Sequence, residues 1–145
     1  PPAVDAVTAA YLAGFFDGEG SVGLYQSTQR KYSTQMRYVL IVQVSNLHRP
    51  TVELFRALFG GHLGVRRKSG YRDVWGWKLS GFRAMNALRV MSPYLRQKRP
   101  QADIALTYRA MPGVRWTDER ETEMQNIKTE LKRLRLSVGA GGLVR

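Results

Sequence analysis

The order of hydrophobic periodicities predicts an α+β fold of the pattern αββαββα, in which one antiparallel four-stranded sheet carries its helices on one face. Three observations predict it. Two pairs of segments alternate in apolar character like strands, each pair follows a segment with apolar residues at helical spacing, and glycines or prolines mark the junctions. A chain of 145 residues that is 43% hydrophobic can bury one real core. A single domain over residues 1–138 is expected, with 139–145, "GAGGLVR", as a flexible tail.

Asp5 can cap a first helix through "AVTAAYLAGFF", since its carboxylate can accept amide hydrogens that have no partner within the helix. Gly18 and Gly20 are expected to stop that helix. In "SVGLYQSTQR" Val22 and Leu24 then share one face of a strand, and Gly23, Tyr25, Ser27 and Gln29 share the other. The next strand, "MRYVLIVQVSN", places Met36, Tyr38, Leu40, Val42 and Val44 in the better core register. Arg37, Val39, Ile41, Gln43 and Ser45 face away.

Pro50 near a helix start, apolar residues at Val52, Leu54, Phe55, Leu58 and Phe59, and the closing pair Gly60 and Gly61 define a second, amphipathic helix. A second hairpin turns at Ser69 and Gly70, with strands expected over 63–68 and 71–80. Its last strand leaves the register open: burying Trp75, Trp77 and Leu79 puts Val74 outside with Arg72 and Lys78. Helical spacing returns in "FRAMNALRVMSPYL", in "QADIALTYRAM" and in a final helix capped by Thr117, with an apolar stripe of Met124, Ile127, Leu131 and Leu134.

The formal net charge of +12 points to a polyanionic partner. The charge is concentrated: residues 20–100 hold 15 Lys and Arg against two acids, Glu53 and Asp73. The absence of cysteine excludes disulfides, thiolate zinc sites and a cysteine nucleophile, and fits a reducing interior. No apolar run reaches membrane-spanning length and no signal peptide is visible, so an intracellular protein with no membrane partner is expected, in the cytoplasm, nucleoid or an organelle matrix.

The sheet face turned from the helices would carry Tyr25, Ser27, Gln29, Arg37, Gln43, Arg66 and Lys68, and Arg30, Arg72 and Lys78 join them as candidate DNA contacts. These side-chain types read base edges and grip phosphates. The aliphatic pair Val39 and Ile41 on the same face asks for something to cover it. A strand of ten residues spans about 33 Å, close to one turn of duplex DNA.

Ala10, Gly14 and Gly18 recur every fourth residue on the first helix, which would let two copies of it approach with backbones nearly touching. Asp17 and Glu19 sit where the helix ends, beside the negative pole of its dipole, so a cation would favour them there. Oxygen ligands suit magnesium, and a carboxylate pair contributed across a two-fold suits metal-assisted phosphodiester hydrolysis. His48 and His62 are not spaced as a metal pair.

The segment "LAGFFDGEG", Leu12 to Gly20, resembles the signature of the LAGLIDADG homing endonucleases, and the element order after it is similar to that of the family over most of the chain. One copy of the motif resembles the homodimeric branch. The resemblance implies a saddle-shaped sheet and a site-specific, intron-encoded DNA endonuclease that binds a long pseudo-palindromic duplex and leaves short 3′ overhangs. It implies Mg²⁺ as cofactor, with Mn²⁺ able to substitute. Glu19, where the family name has Asp, takes the metal-binding catalytic position, with the Gly18 carbonyl as a further ligand, and Asp17 a structural one. Lys98 in "PYLRQKRPQA" and Asn46 in "QVSN" match the positions of a basic residue near the phosphate and a polar residue that orders water. The alternative on the same fold is an RNA maturase, with intron RNA as partner, or a catalytically inactive DNA-binding regulator.

Overall fold

A computed structural model describes residues 3–27, 37–108 and 117–143. The expected contacts Gln29 and Arg30 lie outside these ranges, and Ser27 and Arg37 are described by their backbone alone. Helix α1 spans Ala6–Glu19 and is capped as expected by Asp5, whose Oδ1 accepts the Thr8 main-chain N–H at 2.8 Å. That hydrogen bond is the main cause holding the Asp5 carboxyl below its usual range.

Gly18 does not stop the helix, contrary to expectation. It lies within α1, and the chain turns extended at Gly20, with φ −84° and ψ 164°. The glycine that the turn requires is Gly20, because a Cβ there would collide with the ring of Phe16, which is fully buried. At Gly18 a Cβ would meet nothing within 4 Å.

Strand β1 (Gly20–Ser27) pairs antiparallel with β2 (Arg37–Asn46), Gly20 opposite Val44 and Ser27 opposite Arg37. Helix α2 (Arg49–Phe59) leads through Gly60 and Gly61 into β3 (His62–Arg66), which pairs with β4 (Val74–Ser80). Because β4 also pairs antiparallel with β2, the sheet order is β1-β2-β4-β3, with the two hairpins joined through their second strands. Gly61 has φ 99°, and a Cβ there would meet the Lys78 carbonyl oxygen at 2.6 Å, so the crossing from α2 to β3 requires glycine on two counts.

Burial settles the register of β4. Trp77 and Leu79 are buried and Trp75 is partly buried, while Lys78 is exposed on the other face with Val74. The Trp77 indole packs 5.0 Å from the Phe55 ring and donates its N–H to the Gly60 carbonyl at 2.7 Å, so the polar atom of the largest core side chain is satisfied. The second hairpin is shorter than its sequence suggested. A turn closed by the Tyr71 N–H on the Lys68 carbonyl, with Gly70 at φ 82°, leaves Lys68 and Arg72 in the connecting loop, where Lys68 lies 4.7 Å over the Tyr71 ring.

Helix α3 (Gly81–Met91), a 3₁₀ turn (Ser92–Tyr94), α4 (Arg99–Ala105) and α5 (Asp118–Leu143) complete the chain. The stripe Met124, Ile127 and Leu131 is buried against the sheet. Backbone of α5 continues into 139–143, the stretch expected to be a flexible tail, since adding residues to a formed helix is far easier than starting one. α2 packs on β4, α3 on β2 and α5 on β1, so one core face holds Val22, Leu24, Tyr38, Leu40, Val42, Val44, Trp77 and Leu79. The opposite face is left to the remaining strand residues.

Among the described residues no helix is long and apolar enough to cross a membrane.

Candidate active site

The C-terminal end of α1 is bound to a distant segment through Asp17. Its Oδ2 accepts the Arg96 main-chain N–H and its Oδ1 that of Lys98, each at 2.9 Å. Asp17 is therefore occupied by backbone donors, and the loop before α4 is fixed against the helix end. The Lys98 ammonium turns back and donates to the Asp17 carbonyl oxygen, one of the carbonyls that a helix end leaves without an intrahelical donor.

Lys98 is buried, at 8% exposure, and stands at the N-cap of α4. Burial lowers its pKa below the usual lysine value of 10.5, while the charges of Asp17 and then Glu19 pull it back up. The fold thus brings Asp17, Lys98 and Glu19 into one electrostatic cluster. Glu19 is the last residue of α1 and is exposed, and Gly20, next to it, begins the edge strand at the register of Val44.

Asn46 ends β2 two residues beyond Val44, at the same end of the sheet. Its Oδ1 accepts the His48 main-chain N–H at 2.8 Å, and the His48 Nδ1 lies 2.7 Å from the Thr51 hydroxyl, so the Asn46 side chain is engaged in the turn that leads into α2. The guanidinium of Arg49, in the first turn of α2, lies 4.2 Å over the Trp75 ring and 2.6 Å from Glu53.

On the open sheet face the strand pairings align a row across all four strands, Ser21, Gln43, Lys78 and His62. Tyr25 and Arg66 lie on the same face, both exposed, with Val39 and Ile41 half-buried between. Ser45 shares this surface, as its register predicted, and Ser21 and His62 share it although the sequence expectation lacks them. Alternation from Val22 would have found Ser21, and the cross-strand register that finds His62 exists only in the folded sheet.

The backbone path of α1, the sheet β1-β2-β4-β3 and the helices behind it is shared with solved structures. The homing endonuclease I-CvuI, solved with the I-CreI target DNA uncleaved in the presence of magnesium, superposes with a TM-score of 0.71 at 20% identity, covering 88% of this chain and 82% of that one. The fold is that of the LAGLIDADG homing endonucleases. The LAGLIDADG homing endonuclease I-LtrWI bound to target DNA matches at a TM-score of 0.55 and 19% identity over 68% of this chain and 35% of its own. The archaeal intron-encoded I-Vdi141I complexed with DNA matches at 0.52 and 17% identity, over 90% of this chain and 98% of that one. No family model and no curated protein sequence matches the chain. The similarity to the LAGLIDADG fold that these comparisons show is one of backbone path.

Proposed function

We propose that this chain is a homodimeric, magnesium-dependent DNA endonuclease that cuts a long, near-palindromic site in an intron-free allele and leaves short 3′ overhangs. The observation that carries the reading is the clamp of Asp17 on the 96–98 segment, which leaves Glu19 as the unengaged acid of the motif and sets a buried ammonium beside it. DNA-bound solved structures of the same fold support the substrate class.

Helix α1 supports the dimer. Its inner face, Ala9, Leu12, Ala13 and Phe16, is buried, yet the outer face is also apolar and carries exposed Val7, Ala10, Tyr11, Gly14 and Gly18. A helix apolar all round belongs in an interior. A second copy of α1 packed along Gly14 and Gly18 would supply one and bring the two Glu19 carboxylates toward the two-fold.

The described residues of one protomer contain no group of three or more His, Cys, Asp or Glu able to hold a metal ion. Magnesium fits such a site nonetheless, because it keeps several waters and takes one or two carboxylates together with substrate phosphate oxygens. Glu19 and the Gly18 carbonyl would hold it from each copy. When bound, the cation would polarise the phosphodiester and acidify a water. Lys98 has three donor hydrogens, one of them on the Asp17 carbonyl, and the others are available to charge developing on the phosphate.

The test is a cleavage selection on a library of near-palindromic duplexes with magnesium or chelator, using the parent chain and Glu19→Gln. Cutting that needs both magnesium and Glu19, with DNA binding retained in the variant, is the expected result. Binding by the parent chain without cutting would assign the protein to the regulators or maturases on this fold.

A further inference from the structure

Helix α5 carries Lys128, Lys132 and Arg135 at a spacing that puts all three on one face, and these line a cleft of about 180 Å³ against the edge strand β1. Leu131 and Leu24 form its apolar floor. The wall is Tyr25, whose ring lies back over its own strand so closely that a Cβ on Gly23 would stand 2.7 Å from it. Among the described residues no acid pairs with the three cations: Glu130 is paired with Arg133 at 2.5 Å, and Glu121 is bonded to the Tyr38 hydroxyl. Among the described residues Lys128 reaches an amide oxygen, that of Gln26, at 3.4 Å.

We propose that this cleft is a clamp for the sugar–phosphate backbone of duplex DNA, gripping the strand as it leaves the open sheet face over the β1 edge. The proposal rests on the nuclease reading above. Charge complementarity selects the occupant: three cations over an apolar floor fit phosphates with deoxyribose between them. The nearest segment of the chain in sequence, residues 28–36, contains Arg30 and Lys31 and no acid, so it is not complementary. Tyr25 lies five residues along β1 from Gly20, about 17 Å from the Glu19 end, so the gripped phosphates should lie about half a helical turn from the cut.

The test uses the full chain and a long mixed-sequence duplex, measuring the slope of log Kd on log salt and the phosphates at which ethylation interferes. Lys132→Gln with Arg135→Gln should reduce the slope by about four for the dimer, roughly one per cation with two cations lost from each protomer, and abolish interference half a turn from the cut. Arg133→Gln, on the same helix but outside the cleft, should leave both unchanged, and circular dichroism melting should match for all three proteins because the substituted side chains are exposed. An unchanged slope and interference pattern in the double variant overturns the clamp while leaving duplex binding intact. A greater loss on single strands than on duplex overturns the duplex assignment. A parent chain that binds no duplex overturns the functional reading itself, and the clamp with it.

Discussion

Asp17 holds Lys98 twice: its Oδ1 accepts the Lys98 main-chain N–H at 2.9 Å, and its own carbonyl oxygen accepts the Lys98 ammonium. The two residues are 81 positions apart, so one acid joins the end of the motif helix to the start of α4 and determines where the amine stands.

Removing that acid should act on stability and chemistry together. Asp17→Ala strips the acceptors from two main-chain N–H groups, a loss of about 3 kcal/mol at roughly 1.5 kcal/mol for each hydrogen bond to a charged group. A fall in Tm of about 10 °C in calorimetry is expected, with cleavage lost although Glu19 is intact. Asp17→Asn keeps one acceptor oxygen and should lie between. A Tm equal to that of the parent chain would show that the clamp contributes no stability.

Lys98→Ala separates chemistry from binding. The ammonium is buried beneath the helix end rather than presented on the sheet face, so duplex affinity and its salt slope should hold while single-turnover cleavage slows by about 10²-fold. Equal losses in both would reduce Lys98 to a phosphate contact.

Gly14→Leu separates assembly from folding. A Cβ at Gly14 meets nothing within 4 Å in the protomer, and leucine is the better helix former by about 1 kcal/mol, so the variant should melt no lower than the parent at equal monomer content. Sedimentation should nevertheless show a monomer, because bulk on that face separates the paired helices. A dimer of full mass would exclude α1 as the interface.

Tyr38 predicts an alkaline limit. Its hydroxyl accepts from Gln26 at 2.8 Å and Gln125 at 2.5 Å and donates to Glu121, joining β1 and β2 to α5. Burial first, and the Glu121 hydrogen bond second, raise its pKa above the usual tyrosine value of 10.0, and burial raises that of Tyr108. The folded state then keeps phenolic protons that the unfolded state has lost. Stability is fully present below pH 10.0 and should fall as pH rises through the raised values. Tyr38→Phe should cost about 1–3 kcal/mol at neutral pH and flatten the alkaline decline in urea titrations.

Much of the fold was legible in the sequence because it is written in local periodicity. Val22 and Leu24, the run Tyr38 to Val44, and Met124, Ile127 and Leu131 show which face of each element turns inward before any contact is known. Element ends were less legible. Gly18 reads as a stop from composition, but the stop falls at Gly20, where the Phe16 ring one turn earlier leaves no room for a Cβ. Lys68 and Arg72 continue a strand-like pattern, yet the turn at Gly70 and the Arg67–Asp73 ion pair at 3.3 Å take them out of the sheet.

The sequence by itself determined the α+β order, the inward faces, the basic middle of the chain and the motif that ends in Glu19, since each of these is local or additive along the chain. Only the tertiary structure decided which way β4 turns its tryptophans, that Ser21, Gln43, Lys78 and His62 form one row, that Asp17 is occupied by the 96–98 backbone, and that α5 lays three cations beside Tyr25. The physical reason is common to all four. Each is a relation between residues far apart in the chain, set by packing and cross-strand register, and no local pattern encodes a partner tens of residues away.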